Sequence, residues 1–159
     1  MFDFDKVQKD YLTAALKAYK KHMQCNFFTA HDEEKKTTYI SDGSFFVIVP
    51  DEMCFITSTD TMRHVSPDIF EKMKKDLPGC YDRENEIKDM FITRNVPTDL
   101  KRSYHVFGHQ SGEEIWIDEK ILAYFASMDG LSYFCTGKRA PVAVYMYETL
   151  VGVMLPINH

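Results

Sequence analysis

The chain has 159 residues, of which 45% are hydrophobic, 27% charged and 14% aromatic, with a formal net charge of −5. That length suffices for one domain with a real core, the composition excludes a disordered chain, and the net acidity leaves only local patches for contact with nucleic acid or anionic membrane. The N-terminal run MFDFDKVQKD lacks the character of a secretory signal, and no apolar run approaches the roughly 18–20 residues that span a bilayer.

The first helix is expected over 5–23, with Asp5 as its N-cap. Val7, Tyr11, Ala14, Ala15 and Ala18, and then Leu12, Leu16, Tyr19 and Met23, recur at the three- and four-residue spacing of an apolar helix face. The opposite face gathers Lys6, Lys9, Lys17, Lys20 and Lys21, with Asp10 its one acid. Next come β-prone runs at 25–30, 37–40 and 44–50, separated by a charged tip at 31–36 and by Asp42-Gly43, a strong hairpin signal; together they predict an antiparallel meander. Pro50 closes it, because proline cannot donate to a ladder.

Ser66 as N-cap, Pro67 at the first helical position and Pro78-Gly79 as a stop predict a helix at about 67–77. Residues 80–100 admit either helix or strand for EIKDMFIT. A strand follows at 101–108 and a turn at 109–112. Residues 113–117 alternate as a strand, Asp118 caps a helix EKILAYFASM, and Gly130 stops it. Trp116 is expected to pack beneath that helix. Three strands, 131–136, 142–147 and 150–156, end the chain.

Both ends thus read as strand–helix–strand–strand–strand, which predicts an internal duplication. The fold expected is α+β: duplicated β-α-β-β-β units forming antiparallel sheets with helices on one side. A single domain would span 1–159, with a first unit at 1–50, an irregular connecting segment at 51–112 and a second unit at 113–159.

The C-terminal unit resembles the last domain of DNA sliding clamps of the bacterial β type, the processivity factors of replicative polymerases. The matching places are Ile115, Ile117, Asp118, Leu122, Ala140-Pro141 and Leu155-Pro156. The resemblance covers about 45 residues, extends to the first 50 only in the order of elements, and misses the middle. It implies a non-enzymatic clamp-like module, DNA-associated or replication-accessory, of a kind expected in a phage or mobile element. A clamp ring holds six such domains and this chain supplies one, so the resemblance further implies a homo-oligomer or partner domains on other chains. By the same analogy Lys6, Lys9, Lys17, Lys20 and Lys21 would touch the DNA backbone, although the second helix, with Asp118 and Glu119, lacks a matching basic face. A lysine face is also what any solvated helix presents, and a protein-interaction or structural module that retains the fold without binding DNA is the alternative.

Chemistry-bearing residues form no catalytic signature. Cys25, Cys54, Cys80 and Cys135 make no CxxC pair and read as reduced thiols of a cytoplasmic protein. His105 and His109 are four apart but flank Gly108 on a strand and turn, so no metal site is expected. Asp32, Glu33 and Glu34 read as a solvated tip, and Gly137-Lys138-Arg139 as a basic turn without a phosphate-loop pattern. No cofactor, metal or membrane partner is expected.

Overall fold

The computed structural model describes residues 3–56, 63–64, 75, 82–97 and 101–159. The chain divides into two units, Met1–Asp76 and Leu77–His159. In each, antiparallel strands accompany a helix, an α+β architecture. No helix among the described residues is long and apolar enough to cross a membrane.

In the first unit, α1 runs over Asp5–Lys20. The expected leading strand is not seen: Asp3 and Phe4 lie in a turn. Phe4 takes the N-cap position without any side-chain cap, because its ring is buried in the core. Asp5 is therefore the first helical residue rather than the cap, and its carboxylate sits in the first turn, where the helix dipole favours an acid. At the other end the helix stops three residues earlier than expected. The amide of His22 donates to Tyr19 O and that of Met23 to Ala18 O, a paired closure that satisfies the last carbonyls. His22 stands there with φ 54°, in the left-handed position usually given to glycine.

The meander follows as β1 (Phe28–Asp32), β2 (Thr37–Ser41) and β3 (Phe45–Pro50). A short β4 (Arg63–His64) pairs parallel to β1, so the order is β4-β1-β2-β3. Both hairpin turns are built by acidic side chains. Asp32 accepts from Lys35 N at 3.1 Å, and Asp42 accepts from Ser44 N at 2.9 Å beside Gly43 at φ 98°. Phe45 to Val49 are all buried, so β3 is covered on both faces. A chain of edge-on rings, Tyr11 to Phe27 at 5.9 Å and Phe27 to Phe45 at 6.2 Å, ties α1 to β3.

One polar side chain lies wholly inside this core. Gln8 is 0% exposed; its amide nitrogen donates to Phe4 O at 3.2 Å and Met53 O at 3.0 Å, and its oxygen accepts from Phe55 N at 2.8 Å. The segment bearing Met53 and Phe55 follows β3 through a single 3₁₀ turn, Asp51–Met53. The helix expected at about 67–77 lies, Lys75 apart, outside the described residues.

The second unit is an antiparallel sheet in the order β10-β9-β8-β5-β6-β7. Its strands are β5 (Glu86–Asn95), β6 (Ser103–Gly108), β7 (Glu114–Asp118), β8 (Leu131–Phe134), β9 (Val142–Met146) and β10 (Thr149–Met154). The ambiguous EIKDMFIT is strand. It carries a bulge: Asp89 pairs with Phe107 and Ile92 with Val106, leaving Met90 and Phe91 unpaired, with Phe91 at φ 53°.

Asp118 caps the second helix as expected, accepting from Lys120 N at 2.9 Å, but α2 is a single turn, Glu119–Leu122. Beyond it the bonds shorten to three-residue steps, Tyr124 N to Ile121 O and Phe125 N to Leu122 O, a tightening that accompanies full burial of Phe125 and near-full burial of Met128. The helix that should have reached Met128 is therefore one turn followed by tight turns. Trp116 does not pack beneath it. Its ring faces away from buried Ile115 and Ile117, stacks on His159 at 4.0 Å and donates to Glu114 at 2.9 Å. At Gly130 (φ 62°) an added Cβ would meet the ring of Tyr147 at 2.5 Å, and Tyr147 N donates to Gly130 O.

Removing the Gln8 amide breaks its bonds to Met53 O and Phe55 N in a segment whose side chains are nearly half exposed, where water can take up the freed groups. The expected cost of Gln8→Ala is about 1–2 kcal/mol of unfolding free energy, the net contribution of one or two hydrogen bonds, measurable by urea denaturation. A change near zero would show that these bonds do not hold α1.

Candidate interaction face

The inward face of α1 is made of Val7, Gln8, Tyr11, Ala15 and Ala18. At about 100° per residue these cluster on one arc, with two alanines letting the helix approach closely. The other apolar residues of the same helix point elsewhere. Leu12 is 40% exposed, Leu16 56% and Tyr19 66%, and their mean direction lies about 100° around the helix from the inward set, by the same geometry. Met23, past the turn at His22, is exposed too but lines a groove on another side of α1 with Ala14 and Lys17. What reads in sequence as one apolar face is therefore two, one packed and one bare.

Lysines adjoin the bare stripe. Lys9, Lys17, Lys20 and Lys21 are exposed, while Lys6 is half-buried and paired with Asp10 at 3.3 Å. Lys17, Lys20 and Lys21 have no ion pair among the described residues. Residues 11–30 contain no acid at all, in a chain of net charge −5, so the carboxyl end of α1 is a local basic patch. It adjoins a half-open groove of about 300 Å³ lined by Ala14, Lys17, Ala18, Lys21, Cys25 and Phe27, among others. Basic side chains there also offset the negative end of the helix dipole.

The five lysines singled out from sequence thus lie on one helix, four of them open to solvent. Pattern reading named the residues of the stripe but not their exposure; the 4-3 spacing of residues 12, 16 and 19 is a register of its own.

Two titratable clusters lie elsewhere. In the first unit His31 Nε2 meets Asp51 Oδ2 at 2.8 Å and His31 Nδ1 faces Glu33 at 3.5 Å, while Thr38 donates to the other Asp51 oxygen at 3.3 Å. The bond to Asp51 holds the imidazole pKa above its ordinary 6.5. This cluster is open to water and offers no nucleophile in line with the histidine. In the second unit, His105 Nε2 meets Asp89 Oδ1 at 2.6 Å, and the same oxygen accepts from Phe91 N at 2.7 Å. Burial, with Asp89 adding to it, pushes the nearby Tyr133 up to about 12, so the phenol stays protonated and cannot act as a base near neutrality. The Asp89–His105 pair secures the bulge that displays Phe91, which is 87% exposed.

His105 and His109 are not brought together, since His109 Nδ1 bonds Ser111 within its own turn at 2.8 Å. No group of three metal-ligating side chains is present among the described residues. Cys25, Cys54 and Cys135 form no disulfide, the first and last being buried; Cys80 lies outside the described residues. Gly137 to Ala140 form a turn closed by Ala140 N to Gly137 O at 3.0 Å. No family model, curated protein or solved structure matches the chain.

Because the folded His31 binds its proton more tightly than the unfolded side chain, the His31–Asp51 contact adds stability that is fully present below about pH 6.5 and is lost as pH rises through the raised folded pKa. An NMR titration should place His31 above 6.5, and Asp51→Asn should return it toward that value. A midpoint at or below 6.5 in the unaltered protein contradicts the assignment.

Proposed function

We propose that the chain is a non-enzymatic protein-interaction module and that α1 is its docking element. The observation that carries this is the line of three large apolar side chains, Leu12, Leu16 and Tyr19, standing 40–66% exposed on a helix whose other apolar face is packed. Single exposed apolar residues are ordinary, but a contiguous exposed row rimmed by charge marks an interaction surface.

The test is capture from the native host with the unaltered protein and with Leu16→Asp and Tyr19→Asp as baits. A partner retained by the former and lost by both variants, whose circular dichroism is unchanged, supports the module. Identical capture by all three, or no specific capture, rejects it.

One observation favours a second reading. Lys9, Lys17, Lys20 and Lys21 are exposed and adjoin an acid-free stretch, as a sequence-independent contact with phosphates needs. This is the clamp-like, DNA-associated role that the resemblance implies. A helix followed by three antiparallel strands recurs in both units, although α1 has sixteen residues and α2 four. Fluorescence anisotropy with duplex DNA at low salt separates the two readings. Binding that falls steeply with salt and with Lys17→Gln/Lys20→Gln/Lys21→Gln favours DNA, and no binding at low salt removes it.

A further inference from the structure

The spacing and charge of the α1 stripe define the occupant more narrowly, and this step rests on the docking role given to α1 above. We infer that the surface takes an acidic amphipathic helix from another protein, laid along α1 to make a two-helix seam.

Two observations converge on that chemistry. Leu12, Leu16 and Tyr19 are separated by four and three residues, the 3.5-residue period with which one helix meets another. A β-strand partner would present side chains with a period of two and could not follow the line. Helix-in-groove recognition by such anchors is a common mode.

The outer flank of the stripe, at 3.6 residues per turn, carries Lys9, Thr13 and Lys20, and no acid occurs between residues 11 and 30. A partner helix must bring its own carboxylates to that side. A second copy of α1 does not: its flank is the same Lys9, Thr13 and Lys20, so a self-pair sets like against like. The opposite flank of the stripe is the packed face of α1, with Gln8 and Ala15 buried. The partner's acids are therefore needed on one side only, which gives the seam a polarity.

The test uses the full chain and three probes: a synthetic helix with leucines at 4-3-4 spacing and glutamates on one flank, the same peptide with lysines in place of the glutamates, and phosphatidylglycerol vesicles. The acidic helix should bind saturably and the basic one should not. Leu16→Asp should weaken binding by about tenfold or more, as for a central anchor. Lys9→Glu/Lys20→Glu should weaken the acidic peptide about threefold, as for rim charges, and should allow the basic peptide to bind in its place. That exchange is a result no general stickiness produces.

Failure of the acidic helix to bind, or equal binding of both peptides to the unaltered protein, overturns the inference. Vesicle binding without peptide binding overturns it in favour of a lipid surface. If host capture still depends on Leu16 and Tyr19 while the acidic peptide fails, the docking role stands and only the helical, acidic occupant is wrong. If capture is also indifferent to those residues, both are wrong.

Discussion

The buried amide of Gln8 decides how α1 is set about its own axis. An apolar face alone would let the helix rotate by tens of degrees at small cost, because Leu12 and Leu16 are as able to fill a core as Val7 and Ala15. An amide that must satisfy two carbonyls and one N–H in a dry environment has no such latitude. With Gln8 bound to Phe4, Met53 and Phe55, Val7, Tyr11, Ala15 and Ala18 turn inward and Leu12, Leu16 and Tyr19 turn outward. The exposed stripe thus follows from polar satisfaction acting together with the burial of Val7 and Tyr11.

That constraint also explains where pattern reading stopped. The existence of α1, the three strands of the first meander, the Asp42-Gly43 turn and the Asp118 cap were legible because each is specified by residues a few positions apart. The orientation of α1 was not, since Gln8 reaches partners 45 and 47 positions away. The five lysines could be read as a face; the bare apolar row beside them could not, because only the fold distinguishes a packed leucine from an exposed one.

Strand β5 shows the same limit in another form. Its alternation is broken by the two unpaired residues of the bulge, and of its ten positions only Ile87 is buried, so neither period stands out in Glu86–Asn95. Of the two bonds that Asp89 makes there, the one to Phe91 N is local, but the one to His105 reaches a residue on the neighbouring strand. The second helix was overread for the opposite reason. Ile121, Leu122, Phe125 and Met128 have good helical spacing, but three-residue turns place Phe125 and Met128 in the interior equally well. In both cases tertiary packing overrides a local preference of a few tenths of a kcal/mol per residue.

The meeting of Gly130 with the ring of Tyr147 has an evolutionary consequence. The ring occupies the volume a side chain at position 130 would need, and the backbone there already stands at φ 62°. Tyr147 itself is at φ 55°, held by its bond to Gly130 O. The two positions therefore form one unit of inheritance. Among descendants of this sequence, a residue larger than glycine at 130 would both strain the backbone and force the exposed ring at 147 to swing aside, so changes at the two positions should tend to occur together. Their joint drift would trace the closing hairpin even after its other residues had diverged.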